Sequence, residues 1–243
     1  MLNRTTRTTS SRLASTIRCS QEWKDVQFDL VPWVPGRRDA RQFTRLRCRA
    51  YARHGVLRAA ATADTCASSC SHIVVARDHR GALLGGIRIH RRDRGLLPVE
   101  AALPDSSELR QLFTELDDIA ELSGAVVAAQ ACKTGLGAAL LCAAIAAIPL
   151  LGQRAAVGFG HQHVLALYAR FGLQPDPRFP VYPYPDARYQ SRVLVLRDAR
   201  ILPGVAADER DRIRAVRQQL YARAHIVQGM AQRPCRSAGA SRP

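Results

Sequence analysis

The segment from Asp118 to Ile148, DIAELSGAVVAAQACKTGLGAALLCAAIAAI, constrains what this chain can fold into more than any other. Ile119 to Val127 reads as a strand, and its tail Ala125-Val126-Val127 is the continuous apolar run of a strand buried on both faces. A polar turn, Gln130 to Thr134, leads into Gly135-Leu136-Gly137, and an almost wholly apolar helix from Ala138 to Ile148 is stopped by Pro149. Strand, glycine turn and helix in that order aim unpaired backbone N–H groups and the positive end of the helix macrodipole at one point. Two glycines keep that point open to a phosphate or pyrophosphate. The same spacing also serves as a plain tight turn, so the pattern alone leaves both readings open. Neither Gly-x-x-x-x-Gly-Lys-Ser/Thr nor Gly-x-Gly-x-x-Gly with an acid about 20 residues on occurs, which sets aside two familiar phosphate loops.

A chain of 243 residues, 47% of them hydrophobic, can bury one ordinary core with extensions at both ends. No apolar run reaches about 18 residues, so no membrane span is expected. Seven cysteines, an odd number with no Cys-x-x-Cys and with Cys66 and Cys70 lacking a partnering His pair, argue against a disulfide framework and against a metal site. A reducing cytoplasm suits them. The formal charge of +16 raises the possibility of a non-enzymatic nucleic-acid binder. Against it stand an aromatic content of 6%, arginines scattered over the whole chain with lysine only at Lys24 and Lys133, and no clustered basic helix. Such a bias suits a GC-rich coding sequence, and a positive surface also attracts coenzyme A or an acidic carrier protein.

Residues 1–22 form a basic tail rich in Ser and Thr, whose composition mimics a transit or secretion signal. Residues 23–200 form the domain, 201–228 a helical extension and 229–243 a disordered tail. Within the domain, Val26 to Val34 reads as a strand and Asp39 to Arg53 as an amphipathic helix, followed by a loop from Gly55 to Cys70. His72 to Arg77 and Ala82 to His90 are strands joined by the turn Asp78-His79-Arg80-Gly81. An irregular stretch precedes a capping box at Asp105 to Glu108 and a helix from Ser106 to about Leu116. After the central segment come a strand Arg154 to Phe159, a helix His161 to Phe171 ended by Gly172, a broken edge strand at Phe179 to Gln190, a strand Gln190 to Leu196 and a helix Ala207 to Gln228. That last helix docks on the domain or on a second copy in a homodimer. Strand, helix, strand, helix implies a parallel pair inside a mixed α/β sheet.

The glycine turn resembles the Gln/Arg-x-x-Gly-x-Gly/Ala loop of the GCN5-related N-acetyltransferase (GNAT) superfamily, with Cys132 at the Gln/Arg position and Lys133 beside it. The segment HQHVLALYARFGL, His161 to Leu173, is similar to that superfamily's Asn-x-x-Ala-x-x-Leu-Tyr-x-x-x-Gly-Phe, with Tyr168 in register and His161 in place of Asn. HIVVARDHRGALLGGIRI resembles its central hairpin. LRCRAYARHG (Leu46 to Gly55), that hairpin and AELSGAVV together resemble the branch of N-acyl amino acid synthases and acyl-homoserine-lactone synthases, except that Gly124 replaces an arginine. The resemblance implies a mixed twisted sheet flanked by helices on both faces, and transfer of an acyl group from acetyl-coenzyme A or another acyl-coenzyme A to an amine. It implies that Cys132, Lys133, Thr134, Gly135, Leu136, Gly137 and Ala138 cradle the pyrophosphate and that His161 holds the cofactor arm. Backbone N–H of Val126 or Val127 would polarise the thioester carbonyl, and Tyr168 would protonate the leaving thiolate. Glu121, on the same strand, is the candidate base, with a surface ion pair as its alternative fate; Arg88 is a candidate for an acceptor carboxylate. His72, His90 and His163 read as ordinary polar or core residues. Acyl carrier protein is the alternative donor, and the three departures keep open a coenzyme A-binding sensor with weak catalysis.

Overall fold

The structure is a computed structural model that describes residues 26–56, 69–185 and 187–231, with side chains as far as residue 223. The expectations for the N-terminal tail, for most of the 55–70 loop and for residues beyond 231 fall outside that range.

Among the described residues the strands form one seven-stranded sheet in the order β1-β2-β3-β4-β5-β7-β6. They are β1 (Gln27–Pro32), β2 (Cys70–Arg77), β3 (Leu83–Arg91), β4 (Ile119–Val127), β5 (Ala155–His161), β6 (Gln174–Pro175) and β7 (Ser191–Leu196). The helices are α1 (Arg38–Arg53), α2 (Pro98–Ala102), α3 (Ser107–Glu115), α4 (Leu136–Ala147), α5 (Leu165–Arg170) and α6 (Ala207–Ala231). Only β4 and β5 run parallel, which is the parallel pair in a mixed sheet that the strand and helix order requires. The β2–β3 turn is held by Asp78, whose Oδ1 accepts from the N–H of Arg80 (2.9 Å) and of Ala82 (2.8 Å).

Alternation along β4 sorts its side chains onto two faces. Ala120 and Leu122 join Val74, Ile87 and Ile89 against α4, which is apolar all round because it is buried between the sheet and α6. Ile119 and Val157 turn the other way, to α2 and α3 through Val99, Leu109 and Leu112. A third cluster, Phe43, Ile73, Val75 and Val126, seats α1 on that second face. α6 docks on its own domain through Ile213 and Leu220, which are fully buried, and Arg217 donates to the carbonyls of Ala146 (3.2 Å) and Ala199 (2.7 Å).

Several boundaries differ from expectation for local reasons. α4 starts at Leu136, not Ala138, because Gly135 takes the left-handed conformation (φ 83°) at its N-cap. β5 runs on to His161, paired with Ser191 of β7, so His161 ends a strand and a single 3₁₀ turn separates it from α5. The irregular stretch after β3 contains α2, closed by Glu100, whose Oε2 accepts from the Leu97 N–H at 2.9 Å. α6 continues past Gly229 to Ala231, since a helical glycine costs only about 1 kcal/mol and no proline intervenes. No described helix is long and apolar enough to cross a membrane.

Candidate active site

β4 and β5 pair at only three positions, Ile119 with Ala155, Ala120 with Ala156 and Glu121 with Val157. Beyond them β4 stays beside β3 while β5 follows β7, so the parallel strands splay and Ala125, in the middle of the sheet, is exposed. A bulge shapes β4 there. Ser123 lies opposite Arg88 but Val126 lies opposite Gly86, so β4 carries one extra residue. Gly124 sits in that bulge at φ 60°, a conformation that suits glycine.

Past the bulge the direction of each backbone group follows from one bond. Ala128 N–H donates to Leu84 O at 2.7 Å, so Ala128 and, two residues back, Val126 face β3. Val127 therefore turns its N–H away from β3, into the splay. Of the two expected carbonyl-polarising donors, Val127 is the one the strand aims there.

The splay leads to the N-terminus of α4. Ala138 and Ala139 donate to Gly135 O at 2.9 and 3.2 Å, whereas the N–H groups of Leu136 and Gly137, in the first turn, have no carbonyl within the helix to meet. Leu136 is buried and anchors the turn; Gly137 is exposed, and a Cβ added to it would meet nothing within 4 Å. Lys133 is exposed and takes a left-handed φ of 64°. Thr134 Oγ1 donates to Ala131 O at 2.6 Å, and the Cys132 thiol turns back on Ala128 O at 3.5 Å. The turn thus spends its side chains on itself and presents backbone N–H and one ammonium outward, which suits a phosphate.

On the far side of the splay Tyr168 projects from α5. Its ring packs against the cluster around α4, and among the described residues no group accepts from its hydroxyl. Burial pushes its pKa up to about 12, and Tyr51 of α1 adds to the shift. The phenol keeps its proton throughout the physiological range. Tyr51 is itself raised by burial and pulled back by the charges of Arg47 and Arg88.

Glu121 is sealed at the vertex of the splay, 1% exposed, with Oε2 accepting from the Val99 N–H at 2.8 Å. Burial pushes its carboxyl up to about 8; the bond from Val99 opposes the shift and the nearby Glu100 charge assists it. Among the described residues it makes no ion pair with an arginine, and at 1% exposure it is not the exposed, paired strand-end carboxylate of the alternative.

Beside Glu121 lies a polar array that no sequence pattern signals. His90, directly opposite Glu121 in the β3–β4 register, is fully buried. Its Nε2 lies 2.8 Å from Ser123 Oγ and its Nδ1 3.0 Å from Ser69 Oγ. A serine either side of a histidine, far apart in sequence, leaves no spacing to read. His72 lies half-buried, lowered to about 4 by burial and by Arg94 and Arg91, and His163 is exposed.

The remaining lining lies on the face of α1. Arg47 and Arg88 are fully buried, Arg88 over the Trp33 ring at 4.4 Å and Arg47 over Tyr51 at 5.9 Å. A Cβ on Gly124 would come 3.5 Å from Arg47 Cδ, which puts that side chain directly above the bulge. On β5, Phe159 stacks on Tyr184 at 4.6 Å, and His161 shares a hydrogen bond with Ser191 Oγ at 2.8 Å while its ring lies 4.6 Å from Tyr189. His161 is thus engaged with the tyrosine-rich loop before β7. That loop reaches the turn after α1 through Arg188, whose Nη2 donates to Gly55 O at 2.9 Å. Two open depressions of about 240 and 280 Å³ lie elsewhere, around Asp117 at the start of β4. Among the described residues no group of three His, Cys, Asp or Glu side chains could hold a metal ion.

No protein-family model and no curated protein matches the sequence. Solved structures do share its fold. The N-acyl amino acid synthase FeeM from uncultured soil microbes superposes on 73% of this chain and 95% of its own, with a TM-score of 0.54 at 16% identity. An acyl-CoA N-acyltransferase from Pseudomonas aeruginosa covers 70% of this chain and 98% of its own, with a TM-score of 0.51 at 17% identity. The chain has the fold of the GNAT-type acyl-CoA N-acyltransferases.

Proposed function

We propose that this protein is an N-acyltransferase that moves an acyl group, acetyl first among them, from an acyl-coenzyme A to the amine of a small molecule, amino acid or peptide. The observation that carries this reading is the splay of β4 from β5 opening onto a helix N-terminus with a bare glycine turn. The pyrophosphate rests on the N–H groups of Leu136 and Gly137 with Lys133 beside it, and the cofactor arm runs up the splay toward His161. The thioester carbonyl takes the Val127 N–H, the attacking amine approaches from the face of α1, a base on the Glu121 face of β4 takes its proton, and the Tyr168 hydroxyl protonates the sulfur as it leaves.

Arg88 and Arg47 lie on the acceptor face, over the rings of Trp33 and Tyr51. Guanidinium groups there favour an amine that also carries a carboxylate, with Arg88 or Arg47 as its partner. An acyl carrier protein as donor is the second reading; in favour of it, the glycine turn carries Cys132 in place of a fixed cation and FeeM is an N-acyl amino acid synthase. Thiol release from acetyl- and long-chain acyl-coenzyme A, measured with amino acids and with the matching amino alcohols, tests the proposal. Release that depends on amine and is faster with the amino acid supports it. Coenzyme A binding without any amine-dependent release would leave only the sensor.

A further inference from the structure

We infer that the proton of the attacking amine leaves through Ser123 to His90, so that a serine–histidine pair, with Ser69 behind it, serves as the base of the site. The inference rests on the acyl-transfer reading above. Glu121, the obvious carboxylate, is closed off from the splay: it is 1% exposed and Val99 N–H occupies one of its oxygens. Two residues along the same face, at the last position before the bulge, Ser123 is half-buried and borders Gly124 and the exposed Ala125. Its hydroxyl is the polar group of that face of β4 that stands at the opening, and it is 2.8 Å from His90 Nε2. With the proton of the neutral imidazole on Nδ1, that nitrogen donates to Ser69 Oγ, 3.0 Å away, and Nε2 is left to accept from Ser123. This is the order of hydroxyl, base and orienting group that activates a hydroxyl elsewhere.

The step balances without any further reagent. The amine lone pair forms the N–C bond at the thioester carbonyl. As the C–S bond breaks, the ammonium proton passes to Ser123 Oγ and the serine's own proton passes to His90 Nε2. The thiolate takes its proton from Tyr168, and the proton on His90 returns by Ser123 to the splay and restores Tyr168 through solvent. Glu121 faces His90 across the strands with Cβ atoms about 5 Å apart, so a buried carboxyl lies beside the imidazolium as it forms. Ser123 touches the substrate; His90 and Ser69 act through it.

The test is turnover of Ser123→Ala, His90→Gln and the double variant, with the coenzyme A-induced rise in melting temperature measured on each. Each single change should lower kcat by about 10²-fold or more while the coenzyme A shift is kept. The double variant should be no slower than the slower single one, because groups that work as a unit are lost together. Added imidazole should restore part of the rate of His90→Ala, which a merely structural histidine would not allow. Ser123→Ala changes a half-buried hydroxyl, so it decides the matter alone if the His90 variants do not fold. Turnover of Ser123→Ala close to wild type with Glu121→Gln inactive would overturn the relay and leave Glu121 as base. Wild-type protein that gives no coenzyme A shift overturns the acyl-coenzyme A reading on which the relay is argued, and the relay with it.

Discussion

Glu121 is where the physics of a single residue makes the sharpest demand. A carboxyl raised from 4.5 to about 8 by burial holds its proton in the folded state where the unfolded chain releases it. Its contribution to stability is therefore fully present below about pH 4.5 and is lost as pH climbs to about 8. Glu121→Gln, neutral throughout, should flatten the fall of melting temperature across that window and leave the variant the more stable protein above it. Parallel curves for the two proteins would mean that the carboxyl is not held protonated. Tyr168→Phe keeps the ring and its packing. It should cost about 10²-fold in kcat and leave coenzyme A binding intact, since the phenol, at about 12, is the protonated acid the leaving sulfur needs. Equal turnover at equal stability would remove it from the mechanism. Both residues were visible in the sequence, Glu121 by its strand and Tyr168 by its register behind the glycine turn. His90 and Ser123 were not, because a hydrogen bond between β3 and β4 depends on a strand register and a bulge that no local pattern encodes.

Elements follow a similar division. β4, the glycine turn and α4 were legible because apolar run, glycine and proline punctuate them. α2 was not, being five residues whose helix is held by Glu100 and by the strand beneath. The splay itself was only implied, since it arises where β5 leaves β4 for β7. Two glycines test these elements separately. Gly137 has open space where a Cβ would go, so Gly137→Val should fold at least as stably as wild type, yet place a branched side chain in the proposed pyrophosphate site. Gly158 is the reverse: a Cβ there would meet the Leu122 carbonyl oxygen at 2.8 Å. Gly158→Ala should cost about 1–3 kcal/mol in a urea titration by forcing β5 from β4 just above the vertex. An unchanged midpoint would mean the strands have slack at that point.

At the scale of the whole molecule the described residues form one sheet layered with helices, with α6 as its outer brace. Leu220, 2% exposed, packs against the α4 side of the sheet, away from the splay. Leu220→Ala should lower the unfolding free energy by about 2–5 kcal/mol while leaving kcat within a small factor of wild type below the transition. Lost turnover in protein that is still folded would tie α6 to the site. The composition spoke to this scale only in part, because a charge of +16 says where anions are drawn but not to which surface. The central claim is that the α4 N-terminus and the splay hold coenzyme A, and melting temperature with and without that ligand measures it most directly. At about 100 times the dissociation constant the native state gains about 2.7 kcal/mol, which for a chain of this size is roughly 5–10 °C. Wild type should show that rise with acetyl- or long-chain acyl-coenzyme A, and Gly137→Val should show none. A flat response of the wild-type protein to both ligands, or a full rise in Gly137→Val, would contradict the account.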